Sequence, residues 1–196
     1  MKTYNIKIEN FTNPPEFVEK WSSSYNFPNN EKYEQHIGSV LKSKDSLLKL
    51  FEWKNGTGDV ISKNKMKVVN SFLDKYDIIQ SLGTEFSWTV FEEEFKPTKS
   101  STIWKIFLLH TINPNEFPIY DQHVYRFYNF YKNGIIEEIP NKSEDKYHSY
   151  KNDYLPWFNK VKMKYNLDSK MMDESFFEYG SFLKKISNHP IEIQSK

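Results

Sequence analysis

A carboxylate, an imidazole and the chain's one guanidinium fall within six residues of each other in the segment Phe117-Pro118-Ile119-Tyr120-Asp121-Gln122-His123-Val124-Tyr125-Arg126. Asp121 follows a proline-containing break and precedes a helical apolar pattern, so it stands where a helix N-cap stands. There its oxygens accept first-turn N–H groups, and the helix dipole favours the charged form. A carboxylate held and ionised in this way can activate a water molecule or stabilise positive charge developing on a substrate. The same position also suits plain capping, and the residues alone leave both roles open. Arg126 is the single arginine among 27 basic residues. A guanidinium kept in a lysine-rich chain suggests a place that needs a planar fork, facing a carboxylate, a phosphate or a helix C-terminus. His123, two residues after Asp121, reads as a supporting group or a half-buried ring.

A second candidate cluster lies upstream, in Phe95-Lys96-Pro97-Thr98-Lys99-Ser100-Ser101-Thr102. Lys96, Lys99, Ser100, Ser101 and Thr102, with Lys105 just beyond, gather ammonium and hydroxyl groups at the start of an apolar helix. Free N–H groups and the positive dipole end there could hold a phosphate, and a simple cap cluster is the other reading. Other chemistry finds little support. There is no glycine-rich phosphate loop, no His-Glu-x-x-His pair and no Gly-x-Ser-x-Gly elbow. Ser101 to Lys105 fits Ser-x-x-Lys but lies on the apolar helix, and Glu92-Glu93-Glu94 reads as a solvated face that could at most attract a divalent ion.

The elements that would position these residues are helical. The chain has 196 residues, of which 34 are Phe, Tyr or Trp, so its core must be built largely from flat rings. Asn13-Pro14-Pro15 opens a helix expected near 14–24, with Phe17, Val18, Trp21 and Tyr25 on one face. Apolar residues at helical spacing continue from 31 to 53, as one helix or a bent pair closed by Asn55-Gly56. Met66, Val69, Phe72, Leu73 and Tyr76 form the next stripe, and Phe86 to Phe95 a weaker one. The most apolar helix is expected over 100–112, stopped by Asn113-Pro114. A helix opened by Asp121 carries Val124, Phe127, Tyr128 and Tyr131 and ends at Asn133-Gly134. Two more are expected near 147–164 and 172–187, about eight in all. Alternation of Tyr4, Ile6 and Ile8 leaves a short strand or extended arm open at the start.

Net charge is +1, so no global field draws the protein to a polyanion, and a nucleic-acid role must rest on local patches. Residues 42–75 carry +4, residues 76–95 carry −5 and residues 96–136 carry +3. With no cysteine there is no disulfide framework, thiolate metal site, cysteine nucleophile or iron–sulfur cluster, which suits a cytoplasmic protein. No window reads as a signal peptide or a membrane span.

The stretch Phe117-Pro118-Ile119 through Arg126 resembles the segment bearing the catalytic aspartate in the helix-hairpin-helix DNA glycosylases, the superfamily of endonuclease III and the mismatch adenine glycosylase. In that family an apolar stretch ending in Asp opens a helix, with an apolar residue three places on and an Arg five places on. Asp121, Val124 and Arg126 fill those places. The family's glycine-rich hairpin turn is absent, and Lys96 to Thr102 stands in its place. The interval to the family's lyase lysine lands on Thr102 or Ile103, with Lys99 and Lys105 on either side.

The resemblance implies an all-α fold of two helical lobes with a cleft between them. It divides the chain into a lobe of residues 1–30 plus 134–196 and a lobe of residues 31–133 carrying the hairpin-like segment and Asp121. It implies a monofunctional DNA glycosylase without cofactor or metal, acting as a monomer on a base flipped out of double-stranded DNA. Asp121 would be catalytic, with His123 and Arg126 supporting it. Lys96, Lys99, Ser100, Ser101, Thr102 and Lys105 would hold phosphates. Trp53 and Lys54 are candidates for the base pocket, though a tryptophan ending a helix also suits a core. Repair of damaged DNA and defence against modified foreign DNA fit equally. The alternative is a non-catalytic helical module that keeps the fold and binds DNA or a protein partner.

Overall fold

The computed structural model describes residues 11–56, 60–96 and 102–187. Their regular secondary structure is helical, with no strand among the described residues. The expected strand or arm over residues 2–8 lies outside them, as do Lys99, Ser100 and Ser101.

In chain order the helices are α1 (Pro14–Ser22), α2 (Asn30–Ile37), α3 (Lys44–Asn55), α4 (Lys63–Leu73), α5 (Tyr76–Thr84), α6 (Trp88–Glu94), α7 (Thr102–Ile112), α8 (Gln122–Asn133), α9 (Ser143–His148), α10 (Leu155–Tyr165) and α11 (Ser169–Ser187). A π-helical segment, Ser149–Tyr154, joins α9 to α10 without a break. The periodicity over 31–53 is therefore a pair. Ser43 starts the second member by accepting the Ser46 N–H at 3.2 Å, and Gly56 ends it in the left-handed region at φ +76°. Ser43→Ala is expected to cost about 1 kcal/mol, read as a lower urea midpoint. Residues 76–84 form a helix of their own, which the continuous stripe from Met66 to Tyr76 concealed.

The chain divides into two compact units. One comprises residues up to Tyr25, Tyr120–Pro140 and the chain from Lys151 onward; the other comprises Asn26–Ile119 and Asn141–Tyr150. Against the expected lobes of 1–30 plus 134–196 and 31–133, the divisions fall at 25/26 and 119/120 and residues 141–150 join the second unit, which places Asp121 and α8 with α1, α10 and α11. The reason lies in α8, whose apolar face packs on α11: Phe127 stacks on Phe176 with ring centroids 4.2 Å apart and planes 15° apart. Phe17 of α1 and Tyr179 of α11 complete this cluster of rings, with Tyr179 5.0 Å from Phe17 and edge-on to it. Such edge and offset pairs add roughly 0.5–1.5 kcal/mol each beyond the area they bury.

The second unit is built around α7. All its residues but Ile103 are buried, so it lacks the polar face of a surface helix and serves as the axis of the core. Phe51 of α3 stacks on Trp104 at 5.3 Å with planes 6° apart, and Phe107 meets Phe51 edge-on at 5.4 Å.

Candidate active site around Asp121

The chain enters α8 through Asp121, whose backbone is extended at φ −147° and ψ −171°. One carboxylate oxygen, Oδ1, accepts the His123 N–H at 2.9 Å and the Val124 N–H at 3.2 Å. These bonds occupy two of the four donors that a helix start leaves open. The dipole of a 12-residue helix points its positive end at the same group. Asp121 is half-buried, neither sealed in a core nor fully in solvent. At its far end α8 closes on Gly134, left-handed at φ +69° as the sequence leads one to expect.

Arg126 is buried and holds α8 from behind. Its Nη1 donates to the carbonyl of Gly180 in α11 at 3.0 Å and lies 3.3 Å from His123 Nδ1, and its Nη2 meets Glu138 at 2.6 Å. The buried planar fork thus joins a main-chain carbonyl to the exposed carboxylate of Glu138. His123 is half-buried and packs its ring on Phe177, with centroids 4.7 Å apart. Beside it, burial and the charge of Glu137 push the Tyr125 phenol above its ordinary range, so it stays a neutral hydroxyl.

Within the second unit, the turn at Phe117 is anchored by a residue that the sequence does not single out. His110, buried in α7, lies 2.8 Å from the Phe117 carbonyl through Nδ1 and 2.8 Å from the Tyr33 hydroxyl through Nε2. A carbonyl only accepts, so Nδ1 carries the proton and Nε2 accepts from Tyr33. Burial drives the His110 pKa down to about 4, with the Lys54 charge adding to the drop and the bond to Phe117 opposing it. The sequence does not single out Glu138 or Gly180 either. A glycine inside a helical pattern was the one available sign of a close approach, and a lone arginine implied an acid without saying which.

Several expected contacts are corrected by burial. Lys105 is 1% exposed, its ammonium 4.6 Å from the centre of the Tyr147 ring and 5.1 Å from that of Phe91, so it faces rings and not a phosphate. Thr102 is buried too, its hydroxyl donating to the Ser143 carbonyl at 3.4 Å. Apolar residues fill every side of α7, so its polar members are drawn inward with them. Trp53 belongs to the core, 4.7 Å from Tyr33 and 5.0 Å from Phe27, and therefore does not line a base pocket. The half-buried Lys54 places its ammonium 5.7 Å from the centre of the Phe107 ring. Lys96 is exposed.

Two of the three acids of α6 are engaged, and Glu93 is exposed. Glu94 pairs with Lys75 at 2.9 Å and Glu92 accepts the Tyr147 hydroxyl at 3.0 Å. Burial first, then the charge and hydrogen bond of Glu92, push that phenol well above its ordinary range. No group of His, Asp and Glu suited to a metal ion occurs among the described residues, and no helix among them is long and apolar enough to cross a membrane. Compared with protein-family models, curated proteins and solved structures, the chain matches none.

Proposed function

We propose that this chain is a DNA N-glycosylase that hydrolyses the bond between sugar and base at a nucleotide flipped out of the duplex, without nicking the strand. One observation carries the reading: the Asp121 carboxylate is held by two backbone N–H groups at the start of α8, half-open to solvent, inside the motif that resembles the glycosylase segment. Extruding a nucleotide costs a few kcal/mol in lost stacking. As the base leaves, positive charge builds on the sugar, and a fixed anion stabilises that charge without having to reorganise. Water then adds at the sugar carbon, with Asp121 placed to accept its proton.

Phosphate contacts would come from Lys96, Lys99, Ser100 and Ser101. With Lys105 facing inward, Lys96→Met should reduce the slope of log affinity against log salt by about 1, and Lys105→Met should leave that slope unchanged. Titrating a labelled duplex at several salt concentrations measures both.

The test of the activity is direct. Duplexes carrying a panel of damaged or modified bases are incubated with the protein and heated in alkali, which breaks the strand at abasic sites. Breaks that need the alkali step are the expected result; breaks before alkali would instead indicate lyase chemistry. Duplex binding without breaks on any substrate would overturn the enzyme reading in favour of a non-catalytic DNA-binding module.

A further inference from the structure

We propose that Gly180 is a positioning residue for Asp121, setting where the carboxylate points by letting the first turn of α8 seat directly on α11. The inference rests on the glycosylase reading for its consequence in catalysis, but not for its geometry. A Cβ at residue 180 would stand 1.9 Å from the His123 carbonyl oxygen, 2.5 Å from its carbon and 3.1 Å from the His123 Cα. All three are backbone atoms, so no change of rotamer relieves the contact.

That carbonyl is one end of a planar peptide unit whose other end is the Val124 N–H. The Val124 N–H is one of the two donors that hold Asp121 Oδ1. The other, the His123 N–H, belongs to the same residue that bears the carbonyl. Displacing the carbonyl from α11 therefore tilts the donors that orient the carboxylate. Two further contacts press the same turn onto α11: the Arg126 guanidinium reaches the Gly180 carbonyl at 3.0 Å, and the His123 ring packs on Phe177 one turn earlier. A glycine inside a 19-residue helix weakens that helix relative to alanine, and this close approach accounts for its presence there.

Amide hydrogen exchange, followed residue by residue, tests the clamp without any substrate. In Gly180→Ala the His123 and Val124 amides should exchange about tenfold faster than in wild type, with the α10 amides unchanged. Arg126→Lys, which keeps the charge but loses the fork, should loosen the same two amides to a smaller degree, and it decides the matter if Gly180→Ala does not fold. Unchanged exchange at His123 and Val124 in every variant that folds overturns the clamp. On a DNA substrate, kcat should fall about 10²-fold in Gly180→Ala with duplex affinity retained, as an ångström-scale misplacement of a reacting group would cause. Loosened amides in a protein whose wild type releases no base would sink the glycosylase reading and leave the clamp standing.

Discussion

Asp121→Asn should lower the rate of base release about 10³-fold, roughly 4 kcal/mol of lost transition-state stabilisation, while the fold and duplex affinity remain. The size follows from what the substitution removes. Asparagine caps helices as well as aspartate does, and its carbonyl oxygen can accept the same His123 and Val124 N–H groups. Geometry and stability are thus preserved, and the negative charge alone is lost. If Asp121 were only a cap, Asn would serve in its place and the rate would hold. Asp121→Ala is the complementary variant: it loses the charge and the cap together, and should add about 1 kcal/mol of destabilisation. Single-turnover base release, duplex titration and urea unfolding on the three proteins separate these effects. A variant Asp121→Asn that retains wild-type rates would exclude Asp121 from the chemistry.

The second large effect concerns His110. Its pKa is about 4 in the folded protein against an ordinary value of 6.5, so between these limits the unfolded chain binds the proton more readily. The contribution is whole above pH 6.5 and is lost as pH falls toward 4, amounting to roughly 3 kcal/mol over the window. The cause is structural. The Phe117 carbonyl and the Tyr33 hydroxyl use both ring nitrogens of a neutral imidazole buried in α7. Protonation would put a charge on a buried ring and force Nε2 to donate to a hydroxyl that was donating to it. Carboxylates titrate over part of the same range, so the comparison with His110→Phe isolates the effect. That variant should be less stable than wild type at pH 7 by about 1–3 kcal/mol, because the Phe117 and Tyr33 groups lose their partner. It should also lose less stability than wild type between pH 6.5 and 4. Guanidinium unfolding at four or five pH values measures this, and parallel curves for the two proteins would refute it.

His110 also shows how far a sequence can be read toward a site. Asp121 was legible because its function as a cap is local: a break, an acid and an apolar helical pattern are adjacent in the chain. Gly56 and Gly134 do not depend on distant residues either, so the C-terminal ends of α3 and α8 fall close to where spacing puts them. The partners of Asp121's neighbours were not legible. Arg126 meets Gly180 54 residues away, and His110 meets Tyr33 77 residues away. Nothing in the spacing of either pair marks it.

Burial reversed the reading of Lys105 and Thr102 for a related cause. A lysine and a threonine near a helix start look like phosphate ligands when the helix is taken alone. On α7 the surrounding faces are all apolar, the helix becomes the centre of its unit, and the aliphatic stem of Lys105 runs inward to an ammonium between two rings. The chain's unit boundary moved for the same reason. Which helices share a core depends on whose rings fit together, and the Phe127–Phe176 stack assigns α8 to α11.

Spacing and composition alone carry the helical character of the described residues, the ends of α7 and α8 to within two residues, the lack of any thiolate and the carboxylate at the head of α8. These depend on interactions within about four residues, the reach of a helical hydrogen bond or a cap. The packing of distant segments, by contrast, makes Arg126 a buried clamp on α11, Lys105 a core residue, His110 a buried neutral imidazole and Gly180 the place where the backbone of α8 comes close. Each of these depends on which surfaces meet, and contact between distant segments is selected by the combined packing of the whole chain.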